Sequence, residues 1–321
     1  MNARLLAGLG ATVVVAFLAS LFLGTSGFGL PGDATTRWII LSEIRFPRAM
    51  LGLLVGAALG ISGAALQGYL RNPLAEPGLI GISGGAALGA VLSIHLGIAA
   101  SFALLLPLAG LAGAAVATAL VFLLAGERSG PVTLILAGVA VSSLSLALMS
   151  LALNLSRNPF AAAESIFWMM GSLADRSTVQ LWLAGPLIVL GCALLLRVGQ
   201  TLDALTLGED VAATMGHDLV KTRRLVVAGT ALAIGAATAV TGIIGFVGLI
   251  VPHILRPYVG SRPSSLLLTS GLAGAALLLA ADSALRLLAP WIDVRIGVLT
   301  ALIGAPFFLW LVLKLRTELT P

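Results

Sequence analysis

The sequence of 321 residues has few charged side chains and almost no cysteine. Only 10% of its residues are Asp, Glu, Lys or Arg, whereas soluble domains carry about 25%. Hydrophobic residues make up 59% of the chain and its mean hydropathy is +1.09. A soluble fold of this length could not keep so much apolar surface from water. The composition therefore excludes a cytosolic enzyme, a disordered tail and a nucleic-acid binder, although the formal net charge is +5.

The residues that usually carry chemistry are equally scarce. Cys192 is the single cysteine, so the chain can form neither an intrachain disulfide nor a CxxC site. The three histidines, His95, His217 and His253, lie in different segments and do not form an HExxH pair. We therefore expect no catalytic residue, no metal site and no cofactor.

The sequence also lacks a nucleotide-binding motif and has few residues that could couple transport to an ion. Lys221-Thr222 does not belong to a phosphate-binding loop, because Val220 stands where that loop needs its second glycine. The one acid embedded in a hydrophobic helix is Asp282, with Arg286 four residues further on, which is most simply a structural salt bridge. A buried acid is nevertheless what an ion-coupled secondary transporter would need, so that class stays open as the alternative.

Long apolar stretches are what the sequence has in abundance. A bilayer core of about 30 Å needs about 20 apolar residues per helix, and eight long stretches lack Asp, Glu, Lys and Arg. Pro77–Gly126 must fold back on itself, near Gly97–Ser101. Leu225–Leu255 is too long for one untilted helix, and Gly242, Gly245 and Gly248 are places where it could turn. The sequence predicts an all-α integral membrane protein, a single domain over residues 1–321, with nine or ten transmembrane helices, and we favour ten.

The distribution of basic residues predicts the orientation. With ten spans and both termini in the cytoplasm, most of the 18 Lys and Arg residues fall on the cytoplasmic side. Leu5–Leu23 is longer than the apolar core of a usual signal peptide, so we expect a retained first helix rather than a cleaved one. The arginines that remain outside need another explanation: Arg37, Arg45, Arg48, Arg157, Arg176, Arg286 and Arg295.

Glycines recur at four-residue intervals in two of the apolar stretches, at Gly52, Gly56 and Gly60 and again at Gly81, Gly85 and Gly89. This spacing predicts close packing between helix backbones. In addition, residues 78–84 (GLIGISG) resemble residues 242–248 (GIIGFVG). The resemblance is a weak sign of an internal repeat, which secondary transporters also use.

Two polar loops stand out between these helices. Residues 70–77 (LRNPLAEP) form a short turn, for which a rigid, proline-terminated connection is the simplest interpretation. Residues 200–224 are the longest polar stretch, and their pattern predicts two short helices, broken at Gly208 and closed at Gly216. Apolar residues on so compact a helix pair favour a docking surface for a soluble partner; they are Leu202, Leu205, Leu207, Val211 and Met215.

Taken in order, these motifs resemble the permease subunits of binding-protein-dependent ABC importers for iron–siderophores, haem and cobalamin. The resemblance runs from about Trp38 to Leu313. Its markers are RFPR at 45–48, GAALGISG at 56–63 with Gln67, RNPLAEPG at 71–78, LGE at 207–209 with Ala212 and Gly216, GFVGLIVPHILR at 245–256, Asp282 with Arg286, IGV at 296–298 and GAPF at 304–307.

The resemblance implies a type II importer architecture, in which two permease subunits, identical or paralogous, surround a pathway for an iron chelate or cobalamin. Two separate ATPase subunits would hydrolyse ATP and dock on the loop 200–224. The residues that match the family's coupling motif are Leu207, Gly208, Glu209, Ala212 and Gly216. The permease itself would not be an enzyme and would lie in the bacterial inner membrane among lipids, without a nucleic-acid partner.

The resemblance also implies roles for two further groups of residues. A periplasmic or lipid-anchored binding protein would dock through acidic residues on Arg45, Arg48 and Arg286. The turn from Asn72 to Leu74 matches a cytoplasmic constriction of the pathway. The chain departs from the family's usual Glu and Pro before the IGV run, since it has Asp293 and Arg295 there.

Overall fold

The computed structural model describes residues 3–24, 27–102, 104–126 and 130–319. The helices in this part of the chain are α1 (Ala3–Phe22), α2 (Ala34–Ile39), α3 (Phe46–Tyr69), α4 (Ile82–His95), α5 (Ile98–Ser101), α6 (Leu105–Ala125), α7 (Pro131–Leu155), α8 (Pro159–Met169), α9 (Thr178–Arg197), α10 (Gly199–Leu205), α11 (Glu209–Thr214), α12 (Leu219–Thr241), α13 (Val247–Leu255), α14 (Pro263–Leu288) and α15 (Ile296–Leu319).

Shorter elements connect these helices. A π-helical stretch, Ile40–Arg45, joins α2 to α3, so Ala34–Tyr69 runs on as one helix of 36 residues. Single 3₁₀ turns follow at Pro77–Ile80 and Arg256–Val259. The strands β1 (Leu23–Gly24) and β2 (Gly27–Phe28) pair antiparallel directly after α1.

The architecture confirms the predicted all-α membrane protein. Within the described residues, eight helices are long and apolar enough to cross a membrane. Two shorter apolar helices, Ile82–His95 and Val247–Val259, accompany them. Together they would make the ten predicted spans, whose exact number and whose cytoplasmic termini stay predictions. The eight long helices are Ala3–Phe22, Ala34–Tyr69, Leu105–Ala125, Pro131–Leu155, Thr178–Arg197, Leu219–Thr241, Pro263–Leu288 and Ile296–Lys314.

Both long apolar stretches break where the sequence predicts. The first ends its initial helix at His95, and Gly97 takes a left-handed conformation with φ +70° before the chain turns back into α6. The second leaves the helix after Thr241, with Gly242 at φ +74°, and starts again at Val247. Glycine tolerates these conformations because it has no Cβ.

The centre of the bundle is built from small residues that bring helix backbones together. A Cβ on Gly60 of α3 would overlap the carbonyl oxygen of Ser270 on α14, and one on Gly56 would overlap that of Gly274. Gly89 of α4 faces the carbonyl of Ala109 on α6 in the same way. Lipid provides no hydrophobic drive for helix association, so this close approach supplies the packing. The predicted role of the glycine spacing is confirmed.

The charged residues gather at the two ends of the bundle. Helix α3 has 24 residues and therefore spans about 36 Å. We call the end at the start of α3, with Arg45, Arg48 and Asp282, the arginine end. The opposite end, where α3 leads into the turn 70–77 and meets α10 and α11, is the loop end.

Candidate functional site

Residues 199–218 at the loop end fold as a pair of short helices, as predicted for the loop 200–224, whereas residues 219–224 already belong to α12. Gly208 takes φ +108° and starts α11, and Gly216 takes φ +86° after that helix ends. Asp218 then caps α12, accepting a hydrogen bond of 2.9 Å from the N–H of Lys221. These residues therefore turn the chain twice within one compact unit, which we call the coupling segment.

Three large apolar side chains of the coupling segment face outward. Leu207, Val211 and Met215 are 65%, 41% and 58% exposed. The prediction that Leu202 and Leu205 share this surface is wrong, because both are buried where α10 packs on α3 and α14. Leu202 lies against Gly68 of α3, whose added Cβ would be 3.3 Å from Leu202 Cδ1. The motif residue Ala212 is fully buried as well and holds α11 in place.

Asp203 fixes the coupling segment to the start of α14. Its carboxylate accepts hydrogen bonds of 2.7 Å from Arg262 Nε, 2.8 Å from the N–H of Ser264 and 2.7 Å from the Ser264 hydroxyl. Burial alone would raise the pKa of Asp203, but the bonds from Ser264 and Arg262 outweigh it and leave the pKa below its ordinary value. The position of α10 is therefore set by the membrane helix beside it.

The turn 70–77 lies beside the coupling segment. Arg71, at φ +49°, forms a salt bridge of 2.9 Å with Glu209 Oε1 on α11. Asn72 closes the turn, because its side-chain oxygen accepts a 2.9 Å hydrogen bond from the N–H of Leu74. Asn72 and Leu74 are both partly buried. The structure thus brings two separately predicted sites, the constriction and the coupling motif, into contact.

Beyond the turn, Glu76 reaches the break between α12 and α13. It accepts a hydrogen bond from the backbone N–H of Phe246, the residue that caps α13 in a left-handed conformation with φ +66°. A carboxylate is favourable at the start of a helix, where N–H groups lack partners. Burial raises the pKa of Glu76, and the hydrogen bond from Phe246 opposes this shift without cancelling it.

Gln67 connects the same elements from within the bundle. Its amide nitrogen lies 3.3 Å from the carbonyl oxygen of Ala75 and 3.4 Å from that of Gly248. Its oxygen accepts a 2.7 Å hydrogen bond from Arg256. The sequence indicated no role for Gln67 or Glu76, although Gln67, as a polar residue in an apolar run, carries a signal that could have found it.

A cavity of about 580 Å³ opens where Phe246 lies. Its walls come from the end of α8, the break between α12 and α13, and one face of α15. The lining is apolar and includes Met169, Met170, Ile243, Phe246, Val298 and Leu302. Among the described residues, no group of three or more His, Cys, Asp or Glu side chains could hold a metal ion. Such a cavity can accommodate a bulky organic molecule but offers no ligands for a bare cation.

At the arginine end, the predicted salt bridge is part of a larger cluster. The carboxylate of Asp282 accepts a hydrogen bond of 2.9 Å from Arg286 Nε on its own helix and one of 2.7 Å from Arg48 Nη2 on α3. Arg286 also donates 2.7 Å bonds to the carbonyl and the hydroxyl of Ser20. Arg45 donates a 3.0 Å bond to the carbonyl of Leu21. The three predicted docking arginines therefore all tie α3 and α14 to each other or to the end of α1.

The three predicted docking arginines differ in how far their side chains are exposed. The side chain of Arg48 is 21% exposed and that of Arg286 only 4%, and Arg45 is buried as well. Arg48 and Arg286 line a small pocket of about 160 Å³ with Asp293 and Arg295, the two residues that depart from the family pattern. Within this chain, Arg48 is therefore the docking candidate that a partner could reach most directly.

The chain is similar to known proteins over almost its whole length. A family model described as the FecCD transport family matches residues 11–314. The cobalamin import system permease protein BtuC of Halobacterium salinarum is 42% identical over 287 residues, which are 88% of this chain and 75% of that protein. The vitamin B12 import system permease protein BtuC of Klebsiella pneumoniae is 39% identical over 315 residues, covering 98% of this chain and 94% of that protein.

A solved structure agrees with the fold. It is described as an inward-facing conformation of a metal-chelate type ABC transporter. The two chains align with a TM-score of 0.87 and 35% identity, over 97% of this chain and 99% of the other.

Proposed function

The chain belongs to the FecCD transport family, and from this we propose that it is the permease subunit of an ABC importer for cobalamin or an iron chelate. It is a multi-pass membrane protein, placed in this proposal in the bacterial inner membrane. The observation that carries the proposal is the coupling segment, a rigidly held helix pair that presents Leu207, Val211 and Met215 to the surroundings.

In the proposed assembly, two ATPase subunits dock on the coupling segments of two permease subunits. Leu207, Gly208, Glu209, Ala212 and Gly216 form this docking site. Gly208 and Gly216 set the turns, buried Ala212 seats α11, and Leu207 meets the partner directly. The ATPases hydrolyse ATP and the permease moves the substrate. ATP-driven closure shifts the permease between two states only if the ATPases bind those states with different affinity.

The cavity of about 580 Å³ beside Phe246 forms one wall of the proposed pathway. A second permease subunit, a copy or a paralogue, completes it across the axis of the assembly. The apolar lining of this cavity fits a metal enclosed in an organic ligand better than a free cation. The partly buried turn from Asn72 to Leu74 is the proposed constriction on the cytoplasmic side.

At the arginine end, a periplasmic or lipid-anchored binding protein delivers the substrate in this proposal. Arg48 offers its carboxylates a charged contact at the surface, while Arg45 and Arg286 hold the underlying helices in position. Arginine suits this role because its planar guanidinium can bind a carboxylate through two hydrogen bonds.

The experiment that tests the proposal is co-purification of the ATPase subunit with tagged permease. Leu207→Ser removes a large apolar contact from the docking surface, so the amount of bound ATPase is expected to fall about tenfold, the loss typical of a central interface residue. Leu96→Ser is the matched control, because Leu96 is 69% exposed at the arginine end and Leu207 is 65% exposed at the loop end. Equal ATPase recovery with both variants would contradict the proposed docking site.

A further inference from the structure

The turn 70–77 contacts two elements with different proposed tasks. On one side lies α11 of the coupling segment, and on the other lies the break between α12 and α13, which lines the cavity. A displacement of either element must therefore be accommodated by the turn.

The contact with the coupling segment is a salt bridge at the surface. Arg71 and Glu209 are joined at 2.9 Å, with side chains 47% and 43% exposed. An exposed pair of this kind is weak by itself. It therefore contributes little to the stability of the contact between α11 and the turn.

The contact with the cavity wall is buried more deeply. The carboxylate of Glu76 accepts the N–H of Phe246, and Pro77 packs on Gly248, whose added Cβ would lie 2.7 Å from Pro77 Cδ. Phe246 itself lines the cavity, and its ring occupies the space beside Gly304 of α15. The hydrogen bond from the backbone N–H of Phe246 to the Glu76 carboxylate thus lies directly behind the cavity wall.

The turn between these two contacts is held by its own hydrogen bonds. The side-chain oxygen of Asn72 accepts a hydrogen bond from the N–H of Leu74, and the carbonyl oxygen of Asn72 accepts one of 3.1 Å from the N–H of Ala75. Gln67 then holds the carbonyl of Ala75 from the bundle side. Two prolines restrict the backbone further. Because these bonds and prolines restrict the turn 70–77, a displacement at one of its ends is expected to move the other end as well.

We propose that residues 71–77 link the ATPase-binding helix α11 to the cavity wall, and that Glu76 is the positioning residue that holds Phe246 to this link. The inference rests on the proposed function. When α11 is displaced, the turn moves with it, and Glu76 carries Phe246 and the start of α13 along. Arg71 and Glu209 guide the motion, and the partly buried hydrogen bond from Phe246 to Glu76 transmits it to α13.

The test uses the whole importer, with its ATPases and binding protein, reconstituted in liposomes. The readout is the amount of substrate imported per ATP hydrolysed. Glu76→Ala removes the acceptor for the N–H of Phe246 and leaves this donor unpaired, so the ratio is expected to fall about tenfold. Glu76→Gln keeps an oxygen acceptor at the same reach and is expected to retain most of the ratio. Glu164→Ala, the same change at an exposed glutamate of α8, is the matched control.

Three further variants keep the inference testable if Glu76→Ala does not assemble. Glu76→Asp keeps the charge but shortens the reach, so it is expected to couple less well than Glu76→Gln. Glu209→Gln is expected to lower the ratio only about two- to fivefold, since the pair is exposed, and the exchange Arg71→Glu with Glu209→Arg is expected to restore it.

The inference is overturned if Glu76→Asp, or Glu76→Ala where it assembles, imports as much substrate per ATP as the wild type. The proposed function fails in a different way, namely if the wild-type assembly itself shows no ATP-driven import. The two results can therefore be told apart in one set of measurements.

Discussion

At the scale of single residues, Asp282 is the charge on which the arginine end depends. It lies between Arg48 and Arg286, and its side chain is 3% exposed. A buried ion pair adds little net stability, but removing one partner leaves an uncompensated charge. The cluster gives the acid inside α14 a structural role, and Asp282 therefore no longer supports a secondary transporter in particular.

This arrangement predicts the effect of Asp282→Asn. The variant leaves Arg286 buried without a counter-charge, so the free energy of unfolding is expected to fall by about 3–5 kcal/mol. Asp293→Asn is the control, because Asp293 is 83% exposed and lies 4.0 Å from Arg295; its effect is expected to stay within about 0.5 kcal/mol. Denaturation of the purified permease measures both. Equal stability of the two variants would show that Asp282 is not the structural centre of this end.

The sequence predicted a contact between neighbouring polar residues, but it did not predict hydrogen bonds to residues far away in the chain. The spacing of Asp282 and Arg286 predicted their salt bridge, which the structure confirms. It did not predict that Arg45 and Arg286 bind the backbone at the end of α1, because such contacts join residues more than 20 positions apart. Glu76 was missed for the same reason, since its partner is 170 residues away.

At the scale of secondary-structure elements, the glycines of α3 determine how closely α14 can approach. A Cβ at position 60 would overlap the backbone of Ser270. In contrast, Gly10 of α1 has no heavy atom within 4 Å of its added Cβ. A larger residue therefore cannot be accommodated at position 60 without a shift of the backbone, whereas it can at position 10.

Gly60→Ala is accordingly expected to destabilise the permease by about 1–3 kcal/mol, the usual cost of forcing extra volume into a packed core. Gly10→Ala is expected to leave stability unchanged or to raise it slightly, because alanine favours helix over glycine. Thermal unfolding of both variants in the same detergent makes the comparison. Were Gly60→Ala as stable as Gly10→Ala, the close contact between α3 and α14 would not be supported.

The coupling segment shows how far an element can be predicted from local signals. Gly208 and Gly216 marked its turns correctly, because left-handed backbone conformations favour glycine whatever the surroundings. Which leucines face outward could not be predicted in the same way. Leu205 and Leu207 are two residues apart, and only the packing of α10 on α3 and α14 determines that the first is buried and the second exposed.

At the scale of the whole molecule, the charges separate into two working ends joined by an apolar bundle. The arginine end is tied together by Asp282, and the loop end carries the coupling segment and the turn 70–77. Between them lies a cavity with an apolar lining, next to a break in the helix that the turn contacts. This arrangement suits a subunit that binds partners at both ends and passes a bulky molecule between them.

The most direct test of the proposed function is uptake of labelled cobalamin or a labelled iron chelate into proteoliposomes. They contain the permease, its ATPase and its binding protein, and ionophores abolish all ion gradients. An ATP-driven importer is expected to take up the substrate only with ATP hydrolysis and the binding protein, and uptake should continue without any gradient. Uptake that needs an ion gradient, and proceeds without the ATPase, would contradict the proposed function.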